Sequence, residues 1–124
     1  MPLLFYKAYW QLIGFGICLR RGNFQDLCDR VRNCPLKRTP LQPGIVERIS
    51  SAVDLAAIWY PKQVLCLQRS AATACLLKAH GVRAQMVIGA QQLPFRAHAW
   101  VEVAGRVVND KPYTSEIYAV LDRC

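Results

Sequence analysis

Three side chains in this sequence, Cys66, His98 and Asp110, are of the types that together break or exchange acyl bonds. A thiolate attacks a carbonyl carbon, and an imidazole moves the proton between nucleophile and leaving group. A carboxylate on the far ring nitrogen fixes the tautomer of that imidazole. Singly they are weak grounds for chemistry. A cysteine in an apolar helix is usually packing, a histidine on a strand is usually a satisfied polar residue, and a hairpin acid is usually solvated. The neighbouring residues give them more weight.

Cys66 opens a segment in which Ala71, Ala72, Ala74, Cys75, Leu76, Leu77 and Ala79 are apolar on nearly every face. This predicts a helix from about Cys66 to His80, buried in the middle of the fold and stopped by Gly81. A thiol at the first position of such a helix meets unpaired backbone N–H groups and the positive end of the dipole, both of which stabilise a thiolate. Cys75, at mid-helix, has neither.

His98 and Asp110 lie on two strands of a predicted hairpin, Ala97 to Val103 and Arg106 to Asp110. A two-residue turn at Ala104-Gly105 would set Asp110 opposite Ala99, with His98 and Asp110 on opposite faces. A three-residue loop, Val103-Ala104-Gly105, puts glycine where positive φ is needed and pairs Glu102 with Arg106, Val101 with Val107 and Trp100 with Val108. On those grounds the second register is expected. It sets His98 opposite Asp110, with Cβ atoms about 4.5–5.5 Å apart. A thiol at the start of a central helix, a histidine on a strand and an acid on the next strand form the arrangement of papain-like acyl-transfer enzymes.

These residues need a frame. A first helix is expected from about Leu4 to Arg20, frayed by Gly14 and Gly16, and a short amphipathic second one capped by Asn23 and stopped at Cys34-Pro35. Pro35, Pro40, Pro43 and Gly44 mark a rigid connection. Val46, Ile49, Val53, Ala56, Ala57 and Tyr60 then repeat with helical period up to Pro61. After Gly81 the period falls to two through Val82, Ala84, Met86 and Ile88, which predicts a strand ending at Gly89. A polar loop with Pro94 follows. The tail after Pro112 is read as a short turn and one more strand. The expected fold is α+β, papain/transglutaminase-like, with N-terminal helices and a central buried helix on a small antiparallel sheet. It forms one domain, residues 1–124, with 1–34 as a helical prelude and 45–124 as the catalytic core.

The formal net charge is +8, scattered along the chain. It would attract any polyanion without choosing among them. There is no zinc-finger spacing and no single basic helix, so nucleic acid is not an expected partner. Of six cysteines, Cys18, Cys28, Cys34, Cys66, Cys75 and Cys124, most are read as small core residues, because no secretory signal precedes a chain apolar enough to fold unstapled. With no C-x-x-C pair, no structural zinc is expected. Lys7 and Gln11 interrupt the apolar stretch from Leu3 to Leu19, well short of the ~20 residues needed to span a bilayer. A core helix is expected there, with peripheral membrane contact through Phe5, Tyr6, Tyr9 and Trp10 as the alternative. The chain is expected in the cytoplasm.

Four stretches carry a family resemblance: Cys66-Leu67-Gln68-Arg69-Ser70, Val87-Ile88-Gly89, Phe95-Arg96-Ala97-His98-Ala99-Trp100-Val101-Glu102, and Gly105-Arg106-Val107-Val108-Asn109-Asp110. Together they resemble the leader peptidase of lasso-peptide biosynthesis, over about Ile45 to Asp110. The resemblance implies a transglutaminase-like fold and a cysteine peptidase that cuts the leader from a ribosomally made precursor without a cofactor. It implies the triad Cys66, His98 and Asp110, the same three residues that spacing selects. The N–H of Cys66 would be one oxyanion donor and Gln63 a candidate second, although its spacing from Cys66 does not match papain's glutamine. Trp100 and Arg69, inside the matching stretches, are assigned to substrate binding. The segment ahead of the protease looks too short for the leader-binding domain of fused family members. The expectation is therefore the split form, working with a separate leader-binding partner protein and followed by a cyclase. Two rivals keep the fold: acyl transfer to an amine, as in transglutaminases, and a non-catalytic peptide-holding subunit.

Overall fold

The structure is a computed structural model that describes residues 2–92 and 95–124. Helices α1 (Pro2–Arg21), α2 (Phe24–Asn33), α3 (Ile45–Trp59) and α4 (Cys66–Ala79) come first. Strands β1 (Ala84–Gln92), β2 (Phe95–Val103) and β3 (Arg106–Val107) follow, then a short helix α5 (Thr114–Ile117) and β4 (Ala119–Arg123). The four strands form one antiparallel sheet in the order β3-β2-β1-β4. The expected α+β architecture is the one found. The strand expected to end at Gly89 runs on to Gln92, and β2 begins at Phe95, so the polar loop expected there is strand up to Gln92 and again from Phe95. Its residues 93 and 94, with the turn expected at Pro94, lie outside the described residues.

Local chemistry accounts for the helices. Asn23 and Asp26 form a reciprocal capping box at the start of α2, each side chain accepting from the other's backbone N–H. Leu27, Cys28 and Val31 then turn its apolar face inward. Every residue of α4 from Ser70 to Leu77 is buried, as its all-round apolar sequence requires. Gly16 lets α1 lie close beside this helix: a Cβ there would stand 2.9 Å from both Gln68 Nε2 and the Tyr60 hydroxyl. The Gln68 amide in turn donates to the Leu12 carbonyl at 2.6 Å. The N-terminal helix is thus packed into the core through Leu4, Ala8, Leu12 and Phe15.

One face of the sheet, through Met86, Ile88, Ala99 and Val101, joins the helices in that core. Side chains of opposite parity point to the other face. There Trp100 and Val87 are fully buried. Buried Glu102 accepts from the Trp100 indole N–H and from Arg123, both at 2.9 Å.

Two expectations need correcting. The hairpin takes the two-residue turn: Val103 pairs with Arg106 and Glu102 with Val107. Ala104 and Gly105 both have positive φ, 52° and 78°. Such primed turns twist the way the strands twist, which outweighs the cost of a non-glycine residue in the left-handed region. Glu102 is then free to pair with Arg123 of β4 instead of Arg106. The regular pairing of β3 ends at Val107, three residues short of the expected strand.

The second correction concerns the cysteines. Cys28 is bonded to Cys124 (Cα–Cα 5.4 Å) and Cys34 to Cys75 (5.7 Å). Cys28, Cys75 and Cys124 are buried, as expected of core residues, but they are also paired. The packing of α2 against α4 and of β4 onto β1 brings together thiols 41 and 96 residues apart, separations that leave no local signal.

Candidate active site

The short turn after α4 reverses the chain into β1, and β1, β2 and β3 then alternate in direction. The start of α4, the start of β2 and the end of β3 therefore share one end of the fold. Cys66 opens α4, His98 is the fourth residue of β2, and Asp110 lies three residues beyond the end of β3.

Cys66 is the first residue of α4, and Leu65 before it supplies no side-chain cap, so the first-turn N–H groups remain available to a ligand. Its thiol is free and half-buried; Cys18 on α1 is the other free thiol among the described residues.

His98 stands opposite Gly89 of β1 in the ladder. Its Nε2 lies 2.5 Å from Asp110 Oδ2, and the two side chains are 23% and 22% exposed, shielded enough for the bond to hold against water. Nδ1 has no protein hydrogen-bond partner among the described residues. The imidazole is flanked by the Tyr118 ring at 5.3 Å and the Trp100 ring at 6.1 Å. Gly89 makes room for them: a Cβ there would fall 2.7 Å from the Trp100 ring and 2.8 Å from Tyr118 Cβ.

In the observed register a regular strand would turn Asp110 away from His98. The chain escapes it by leaving the ladder. The Val108 N–H still donates to the Val101 carbonyl at 2.9 Å. The Val101 N–H, however, is taken by the side-chain Oδ1 of Asn109 at 2.7 Å. Asn109 Nδ2 donates to Ser70 Oγ, and Ser70 Oγ donates to the Ala99 carbonyl, each at 3.1 Å. Ser70 is one helical turn beyond Cys66, so this chain of bonds fixes the first turn of α4 against the residues next to His98 and Asp110.

Burial pushes the Asp110 carboxyl up. The His98 hydrogen bond, the Lys111 N–H at 2.8 Å and the charges of His98 and Arg69 outweigh it, and the carboxyl is held below its usual range. It is an anion at neutral pH and accepts from Nε2–H, which leaves Nδ1 as the basic nitrogen.

The structure thus joins His98 to Asp110 directly, while no hydrogen bond among the described residues joins the Cys66 thiol to His98. The remaining predicted residues are placed differently. Gln63 is exposed in the turn before α4, bordering a groove with Ile17, Tyr60 and Leu65. Trp100 has no exposed surface, and its indole N–H is spent on Glu102. Its expected contact with substrate is replaced by packing beside His98. Arg69 pairs with Asp54 at 3.7 Å and lends its field to Asp110. Sequence reading missed Ser70, Asn109 and Tyr118. A lone serine one turn after Cys66 in an alanine-rich helix, and an asparagine just before Asp110, were the available signals; Tyr118 had none.

A central helix opening on a free thiol and packed on an antiparallel sheet, with a hydrogen-bonded His–Asp pair at the same end of the fold, defines a protein of papain/transglutaminase-like architecture. The chain belongs to the transglutaminase-like superfamily, whose sequence profile matches residues 9–123. It is also similar to the microcin J25-processing protein McjB of Escherichia coli, 39% identical over 56 residues. That match takes in 45% of this chain and 27% of the length of McjB. No solved structure gives a significant match to the chain.

Proposed function

We propose that this chain is a cysteine peptidase that removes the leader from a lasso-peptide precursor. The observation that carries the reading is the short His98–Asp110 bond at the end of the fold where α4 begins with Cys66. The similarity to a microcin-processing protein supports the substrate class.

In this reading Nδ1 of His98 takes the proton of the Cys66 thiol, and the sulfur attacks the scissile carbonyl carbon at the end of the leader. The uncapped N–H of Cys66 receives the developing oxyanion. His98 returns the proton to the leaving amine as the C–N bond breaks. Water, deprotonated by the same nitrogen, then attacks the thioester, releasing the leader as a carboxylate and restoring the thiol. Asp110 keeps Nε2 protonated throughout. Such thiol–imidazole contacts are commonly loose without substrate and tighten when it binds, so substrate binding is the step that closes the pair. The precursor peptide, a protein that holds its leader and a cyclase that takes the core peptide are the partners in this proposal.

The test is cleavage of a precursor peptide by the purified chain, with and without a leader-binding protein, read by mass. Cys66→Ala should remove cleavage at unchanged far-UV dichroism. Wild-type rates in Cys66→Ala exclude the mechanism. A product in which the acyl group has passed to an added amine instead of water shows a transglutaminase.

A further inference from the structure

We infer that α1 and α3 form a docking face for an anionic lipid surface. Leu3, Tyr6, Trp10, Ile13 and Ile17 follow one another at intervals of three and four along α1, which puts them in one stripe. It lies opposite the buried residues of that helix, and Trp10 is 69% exposed. An α-helix apolar on both faces calls for a partner on the second. Beside it, α3 exposes Leu55, Ile58 and Trp59, the last also at 69%. Leu55 shares the groove between the two helices with Leu4 and Phe5, and Glu47, Arg48 and Ser51 line the same groove. Together the two helices expose more large apolar side chains than isolated surface residues account for.

Charge selects the occupant. Helix α1 carries no acidic residue and ends in Arg20-Arg21. Trp10 borders a cavity of about 470 Å³ whose wall includes Lys7, Arg30 and Lys37. On the α3 flank Asp54 is paired with Arg69, and the exposed acid Glu47 lies in the groove beside Arg48, so the cationic excess is on the α1 side. A second copy would bring like charge against like across this face. Among the described residues no helix is long and apolar enough to cross a membrane, and the inferred contact is a peripheral one. Tyr and Trp at headgroup depth, with lysine and arginine beside them, are what an anionic bilayer surface accepts. Headgroup phosphates fit the cationic cavity while Tyr6, Trp10 and Ile17 enter the acyl boundary. The inference is independent of the peptidase reading.

The test is sedimentation of the full chain with vesicles of phosphatidylcholine alone and with phosphatidylglycerol added. Binding should require phosphatidylglycerol, weaken with salt and shift tryptophan emission to the blue. Tyr6→Ser/Trp10→Ser and Lys7→Glu/Lys37→Glu should each lose about tenfold or more in partitioning, at unchanged dichroism. Failure of the wild-type chain to bind the anionic vesicles overturns the inference whatever the variants do. So does equal binding to both vesicles, or self-association of the wild type that Tyr6→Ser/Trp10→Ser abolishes, which would give the face to a second copy.

Discussion

The backbone N–H of Val101 donates to the side chain of Asn109, 2.7 Å away, at the position where the ladder would have supplied a backbone carbonyl. That substitution lets the chain bend after β3 and carry Asp110 to His98, and the other end of the same amide holds Ser70 of α4. Asn109→Ala should cost about 1–3 kcal/mol, because the part-buried Val101 N–H loses its acceptor. It should also lower precursor cleavage by more than the stability loss explains. Urea unfolding alongside cleavage kinetics checks this; wild-type kinetics would assign Asn109 to stability alone.

Asp110→Asn keeps the shape but lets the amide present a donor to Nε2, favouring the wrong tautomer. Cleavage should fall by roughly a hundredfold to ten-thousandfold while the thermal midpoint moves little. Cleavage within a factor of two of wild type would remove Asp110 from the mechanism.

Both Asp110 and Glu102 are held below their usual range. For Glu102 burial acts upward but yields to hydrogen bonds from Arg123 and Trp100 and to the Arg123 charge. A depressed folded-state value means that the stabilisation is complete above the unfolded carboxylate range, about 4. It is lost as pH falls through the depressed value. Urea stability should therefore decline from about pH 5 downward. Glu102→Gln should flatten that decline at a lower plateau near neutrality, and an unchanged slope would mean that Glu102 is not linked to folding.

Gly89→Ala places a methyl 2.7 Å from the Trp100 ring and 2.8 Å from Tyr118 Cβ, so the two rings beside His98 must shift. A loss of about 1–3 kcal/mol is expected from the overpacking. Reduced cleavage should accompany it, with Tyr118→Ala lowering activity and Tyr118→Phe preserving it. If Tyr118→Ala cleaves at the wild-type rate, the ring has no part in holding His98.

Under oxidising conditions the unfolded chain should show two thiols to a thiol reagent, Cys18 and Cys66, rising to six after reduction. In the folded protein Cys66 should be alkylated before Cys18, because only Cys66 sits at a helix start. Removing the pairs should lower stability by on the order of 3 kcal/mol each. A count of six before reduction would show that neither pair forms.

Much of this protein is written in short-range pattern. The Asn23 cap, the end of α3 just before Pro61, the all-round burial of α4 and the change of period after Gly81 all follow from side chains within a few residues of one another. The same is true of the residue types at positions 66, 98 and 110. Only the tertiary structure decided the hairpin register, the partner of Glu102, the pairing of four cysteines and the contact between Tyr118 and His98. Each depends on which distant surfaces meet. A turn selects between registers by matching the twist of strands already packed on a core, and Asn109 can stand in for a strand carbonyl only because Ser70 waits on the helix above it. Local sequence could propose that His98 and Asp110 meet, but the route by which they meet, through a bend and not a ladder, belongs to the assembled fold.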